Sequence, residues 1–146
     1  MSQCFFPLLF IPQHKFLIIR LDLMPTTKLY VYQESKYDVP LVKWLDSLPN
    51  KVQVKCRTKI ERLRQCGAEL RRPEADYLRD GIYELRVGFR GRHYRILYPF
   101  AGKDIILLSH GVIKEDRVPP VEIDLALQRK INWESFPDKY TFTGEI

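Results

Sequence analysis

The run GIYELRVGFRGRHYRILYPFAGKDIILLSHGVIK, from Gly81 to Lys114, alternates apolar and polar side chains through segments too short for helices. Successive residues of a strand face opposite sides of its sheet, so the alternation predicts three consecutive strands of one antiparallel sheet. Tyr83, Leu85 and Val87 share one parity of the first strand and leave Glu84 and Arg86 on the other. In the second, Tyr94, Ile96 and Tyr98 share a parity and leave His93 and Arg95 opposite. Gly88 to Gly91 reads as a compact turn that joins the two as a hairpin. In the third, His110 and Lys114 share a parity with Ile106, Leu108 and Val112. If the apolar parities of the first two strands pack on helices, Arg86 and Arg95 become neighbours on an open face. Function is expected there.

The flanking segments supply those helices. Leu29 to Gln33 is a short β-type run, read as the first strand. Asp38 is placed to cap a helix with Pro40 just inside it, where a missing N–H is tolerated. That helix carries Val39, Val42, Trp44, Leu45 and Leu48 and stops at Pro49. Asn50 is placed to cap a second helix, whose Val52, Cys56, Ile60, Leu63 and Cys66 recur at helical spacing, and Gly67 follows as its C-terminal glycine. Tyr77-Leu78-Arg79 reads as a short added strand. Pro119-Pro120 opens a final helix, with Glu122 in its first turn and Arg129-Lys130 in its last, both favourable to the helix dipole. The expected fold is a small α+β domain with its helices on one sheet face: an antiparallel sheet with an N-terminal αα-hairpin packed on that face, and a C-terminal helix. Residues 28–131 form the domain, residues 1–27 an N-terminal extension, and residues 132–146 a loosely attached tail.

The N-terminal run Cys4 to Ile11 is apolar but interrupted by Pro7 and closed by Pro12, and Lys15, Arg20 and Asp22 follow. No uninterrupted apolar stretch of about 20 residues, the length of a membrane span, exists here. A basic leader and small-residue cleavage site are lacking too. Phe16 to Leu21 can form a strand. The simplest expectation is that Met24 is the initiator and the first 23 residues are an upstream extension. Cys4, Cys56 and Cys66 are odd in number and widely spaced, so no disulfide framework is expected, and Cys56 and Cys66 read as buried thiols. A reducing cytoplasm fits best. Without a CxxC or HxxxH pairing, no metal and no cofactor is expected.

Charge is unevenly placed within the net +6. Residues 51–72 hold eight Lys/Arg against two Glu, and residues 81–98 hold four Arg against one Glu, whereas residues 115–146 hold four Lys/Arg against seven Asp/Glu. A solvated helix face accounts for the first cluster about as well as a partner does. Arginines crowded into a hairpin favour a polyanion.

These residues carry a family resemblance. Gly67, Pro73, Leu78, the run Gly81-Ile82-Tyr83-Glu84-Leu85-Arg86, Tyr94-Arg95-Ile96-Leu97-Tyr98, Leu107-Leu108, His110-Gly111, Lys114 and Pro119 through Ala126 follow one another in a recurring framework. Over roughly residues 28–130 the chain resembles the RelE/HigB superfamily of type II toxin–antitoxin toxins, especially its phage-related Gp49-like branch. The resemblance implies a small ribonuclease that cuts messenger RNA in the ribosomal A site, against ribosomal RNA, without a metal. It also implies a cognate antitoxin, in this branch commonly a helix-turn-helix DNA-binding protein.

In such a cleavage the ribose 2′-OH attacks the adjacent phosphate, and fixed cations stabilise the charge that builds on its oxygens. Arg86 and Arg95 match the arginines of the family's ELR and YR strands and are the first choices as phosphate binders. The rival reading is that Arg86 pairs with Glu84 or a cross-strand neighbour. Lys114 matches the first lysine of a family pair whose second member is Glu115 here, and Val112 replaces the usual aromatic. His110 or His93 can serve as general base, with a sheet-face or core histidine as the alternative for His110. Arg90 and Arg92 in the hairpin turn, with His93, are expected to guide the RNA backbone. Lys55, Lys59 and Arg62 on the second helix are expected to contact ribosomal RNA or an acidic antitoxin segment. The rival class is a non-catalytic toxin or binding module on the same fold, for example a gyrase inhibitor.

Overall fold

The computed structural model describes residues 27–146, so the expectations about the upstream extension and a strand over Phe16–Leu21 lie outside the described residues. Strand β1 (Lys28–Val31) is followed by helices α1 (Pro40–Asp46) and α2 (Asn50–Cys66) and a 3-10 turn at Gly67–Glu69. Strands β2 (Ala75–Arg79), β3 (Ile82–Phe89), β4 (Arg92–Pro99), β5 (Ile105–Leu108) and β6 (His110–Lys114) come next. Helices α3 (Pro120–Ser135) and α4 (Pro137–Tyr140) complete the chain. The main sheet is antiparallel in the order β2-β3-β4-β6, and β1 pairs with β5 in parallel. None of the described helices is long and apolar enough to cross a membrane.

The alternation read in β3 and β4 decides which side is core. Leu85, Val87, Tyr94, Ile96 and Tyr98 bury against Leu41, Leu45, Val52, Cys56, Ile60 and Leu63 from α1 and α2. Truncating a fully buried leucine such as Leu85 to alanine costs about 2–5 kcal/mol in comparable cores. Gly111 in β6 belongs to this side as well. A Cβ there would lie 2.1 Å from the Trp44 ring, so only glycine lets α1 sit this close to the strand.

Two-residue loops join β2 to β3 and β3 to β4. Arg90-Gly91 (φ 50° and 79°) and Asp80-Gly81 (φ 51° and 82°) take the left-handed conformations that suit tight hairpins. The turn expected from Gly88 is therefore shorter, and Gly88 is a β3 residue opposite His93. The expected helix caps differ also. Val39 and Pro49 occupy the cap positions without side-chain caps, Asp38 instead pairs with Lys43 at 3.1 Å, and Gly67 closes α2 as read.

Three further expectations are corrected. The final helix does not join the others on one side of the sheet; Ile123 and Ala126 of α3 pack with Ile82, Leu97 and Val118 on the opposite face. Residues 132–146 are not a loose tail, because α3 runs on to Ser135, Trp133 Nε1 donates to Thr141 Oγ1 (2.7 Å), and Phe142 N donates to Val31 O (2.8 Å). Cys66 is disulfide-bonded, whereas Cys56 is the buried free thiol expected.

Candidate functional site

Cross-strand partners share a sheet face, so the register assembles the site row by row. Glu84 stands opposite Leu97, and Leu97 opposite His110; Arg86 stands opposite Arg95, and Arg95 opposite Val112; Gly88 stands opposite His93, and His93 opposite Lys114. Asp76 extends the first row from β2. All four expected catalytic residues therefore occupy one face, the face that α3 partly covers.

That cover divides them. Arg95 is only 7% exposed along its side chain, with Nη1 donating to Tyr94 O (3.0 Å) and Nε 3.3 Å from Glu84 Oε2. Desolvation pulls its pKa down, Glu84 opposes this, and Arg86 adds to it. A guanidinium in that position stays charged. Glu84 lies between the two arginines and is itself buried, and its Oε1 and the Arg95 Nε have no hydrogen-bond partner. The expectation that Arg95 reaches the open face is thus corrected: it holds Glu84 from beneath and is closed to a phosphate.

Arg86 keeps an exposed edge at 30%. Its Nε donates to Glu84 Oε2 (2.7 Å) and its Nη2 to Asp76 Oδ2 (3.1 Å), so two carboxylates fix the plane of its fork. Asp76 also binds Arg72 at 2.8 Å, and that bond is the main reason its carboxyl pKa sits below the usual range. His93 is exposed at the hairpin end of the same face, and Lys114 beside it reaches Asp116 O (3.1 Å). Arg86, His93 and Lys114 form the solvent-open strip.

His110 departs from its expected surroundings. The third strand breaks at Ser109, whose N donates to Leu97 O (2.9 Å). Ile106 and Leu108 before the break join the α1–α2 core, while His110 after it sits on the α3 side. The ring is buried, with Nδ1 2.7 Å from Ser109 Oγ and Nε2 2.9 Å from Glu122 Oε1. Burial lowers its pKa, nearby Arg129 lowers it further, and Glu122 opposes both. The neutral ring, accepting from Ser109 and donating to Glu122, satisfies every partner. It fastens α3 to the sheet, with both ring nitrogens engaged.

The expected RNA-guiding cations separate as well. Lys55 and Arg90 lie over the Phe89 ring at 5.5 and 5.1 Å, and Phe89 and Arg90 line a hollow of about 560 Å³ together with Lys51 and Arg92. Lys59 and Arg62 instead hold Glu74 at 3.2 and 3.0 Å and tie α2 to the segment before β2. The carboxylates Asp76 and Glu122 were missed as site components, whereas the pairing of Arg86 with Glu84 is the rival reading that the sequence offered.

No curated protein matches the chain. Residues 43–130 match the family described as phage derived protein Gp49-like (DUF891). That stretch holds α2, the whole main sheet and most of α3, and so includes every residue of the open strip and its buried support. The chain belongs to the Gp49-like family of phage-derived proteins, a family of RelE/HigB-like toxin–antitoxin toxins.

Proposed function

We propose that this protein is the toxin of a type II toxin–antitoxin pair, with a RelE-like fold in which α1 and α2 act as the αα-hairpin. Its activity is a metal-independent cut in messenger RNA on the ribosome, in the cytoplasm. A cognate antitoxin, a helix-turn-helix protein, neutralises it. Family membership gives the toxin class. The single observation that carries the chemistry is the strip Arg86–His93–Lys114 on one sheet face, with Arg86 held by two carboxylates.

In the proposed step the 2′-oxygen attacks the adjacent phosphorus and forms a new P–O bond while the bond to the 5′-oxygen breaks. The products are a 2′,3′-cyclic phosphate and a 5′-hydroxyl. His93 accepts the 2′-OH proton, a role that buried His110 is poorly situated to take. Arg86 donates its exposed edge to the nonbridging oxygens, where preorganised donors act most strongly. Lys114 stands beside the leaving 5′-oxygen and supplies its proton. Arg95 positions Arg86 through Glu84.

A second reading, a non-catalytic toxin on the same fold, draws on the engagement of Arg86 by Glu84 and Asp76, which leaves it less charge to offer a phosphate. One experiment separates the two. Induced expression of the full chain without antitoxin is expected to arrest growth, with primer extension showing new 5′ ends in A-site codons. Intact messages with altered DNA supercoiling would select the second reading, and normal growth with soluble protein present would sink both.

A further inference from the structure

A cleft of about 860 Å³ opens on the other side of edge strand β2, facing away from the strip. Its wall is aromatic. Tyr77 stands opposite Tyr83 with ring centroids 5.1 Å apart in an edge-on contact, and Phe100 meets Tyr83 edge-on at 5.3 Å. Tyr77 is 52% exposed, an unusual state for a large ring on a sheet. It is also fixed at its far end, because Gly81 N donates to its hydroxyl (3.1 Å). A ring held at both ends with a bare face loses little entropy when something stacks on it.

The rim is cationic. Among the described residues, Arg71, Arg72 and Lys103 line the cleft against one carboxylate, Asp76. Arg71 donates to the Ala68 carbonyl, which anchors its side chain at the rim, and Lys103 projects from the exposed turn before β5. Asp76 connects this rim to the other face, since its Oδ2 takes Arg72 at 2.8 Å and Arg86 at 3.1 Å. A line of cations thus runs from the open strip round the edge of β2 into the cleft.

We infer that the cleft binds a nucleotide of single-stranded RNA, its base stacked on Tyr77 and its phosphates held by Arg72 and Lys103. Planar aromatics beside mobile cations suit an unpaired, sequence-variable strand, because every base has a face to stack and every linkage a charge. The volume accepts one nucleotide comfortably. The inference deepens the RNA-directed reading and rests on it for the choice of polyanion. It places a second contact on the same strand that the strip engages, and binding round the edge would set which linkage reaches Arg86.

The test uses the full chain and a fluorescent 2′-O-methyl oligoribonucleotide, which cannot be cut because it has no free 2′-hydroxyl. Binding is read by anisotropy at low salt. Tyr77→Leu is expected to weaken binding about tenfold, the size of one lost stacking contact, while Tyr77→Phe, which keeps the ring, stays within about twofold of wild type. Lys103→Glu, at an exposed position, should weaken binding and flatten its salt dependence by about one phosphate contact. It also serves if Tyr77→Leu fails to fold. Unchanged affinity in both Tyr77→Leu and Lys103→Glu overturns the inference, as does loss of antitoxin capture with RNA affinity intact, which would make the cleft a protein-docking surface. Cleavage by wild type with no Tyr77 dependence sinks the cleft alone. Ring-dependent binding without cleavage sinks the catalytic reading and leaves the cleft standing.

Discussion

The two halves of one sheet face use the same residue types for opposite purposes. Arg95, Glu84 and His110 are buried and bonded to one another or to α3; Arg86, one strand nearer the β2 edge, and His93 and Lys114, toward the hairpin, meet solvent. Arg86 and Arg95 are direct cross-strand partners that differ in burial, 30% against 7% exposed along the side chain. A guanidinium under the helix has no room for a phosphate, and its energetic role is to compensate a buried carboxylate. One at the margin, held by that carboxylate, is oriented before any ligand arrives. The covered half is therefore a support, and the open half a surface that can act.

The strongest way to break this division is to remove the support. Arg95→Ala leaves Glu84 buried with Arg86 as its remaining partner, and deleting one member of a buried pair costs about 3–5 kcal/mol. Urea unfolding should show a midpoint lowered by that loss divided by an unchanged slope. A loss below about 1 kcal/mol, the range of solvated pairs, would mean that Arg95 is open to solvent after all. Arg86→Ala is expected to reach the chemistry as well. Cleavage should fall about 10²–10³-fold, the usual cost of a lost transition-state donor, alongside a loss of stability, because Arg86 supplies the 2.7 Å hydrogen bond to buried Glu84. A folded Arg86→Ala variant of full toxicity would remove it from the chemistry.

Much of this division could be read from residues alone, and its limits have definite causes. Parity placed Leu85, Val87, Tyr94 and Ile96 on one side and Arg86 beside Arg95 on the other, because strand alternation is local and survives any tertiary arrangement. Which face α3 would choose was not local. An amphipathic helix reports that it has a buried side, and nothing in Ile123 or Ala126 tells which sheet face receives it. The break at Ser109 was hidden because Ile105 to Lys114, read with a single parity, looks like one strand; the change of partner from β1 to β4 reverses the side on which His110 lies. Lys59 and Arg62 looked like a contact surface because Glu74, which holds them, is distant in sequence from most of α2.

The link between helix and sheet gives a prediction in pH. Burial and Arg129 hold the folded-state pKa of His110 below its ordinary value, and Glu122 only partly offsets them. The contribution of His110 is thus fully present above the unfolded histidine value near 6.5 and is lost as pH falls toward the folded value. Over that window the unfolded chain binds a proton that the folded chain refuses, with a slope of at most about 1.4 kcal/mol per pH unit for one group. Glu122→Gln removes the opposing charge, so loss of stability on acidification should become steeper. Melting curves at stepped pH check this. A loss that becomes shallower in Glu122→Gln would mean that His110 is held as the cation.

The smallest expected effect concerns two lysines on one helix. Lys55 lies over Phe89 beside the basic hollow, whereas Lys59 is joined to Glu74 at partial exposure. Lys59→Ala should lower stability by no more than about 1 kcal/mol, as for other partly exposed pairs, and leave RNA affinity unchanged. Lys55→Ala should leave stability unchanged and reduce the slope of log affinity against log salt by about 0.7, the value for one phosphate contact on a single strand. If both variants lose the same affinity, α2 meets RNA as a uniform basic stripe, and the Glu74 pair is broken on binding. If only Lys55→Ala does, the two lysines divide as the two halves of the sheet face do: Lys59 braces the fold through Glu74, and Lys55 meets the ligand.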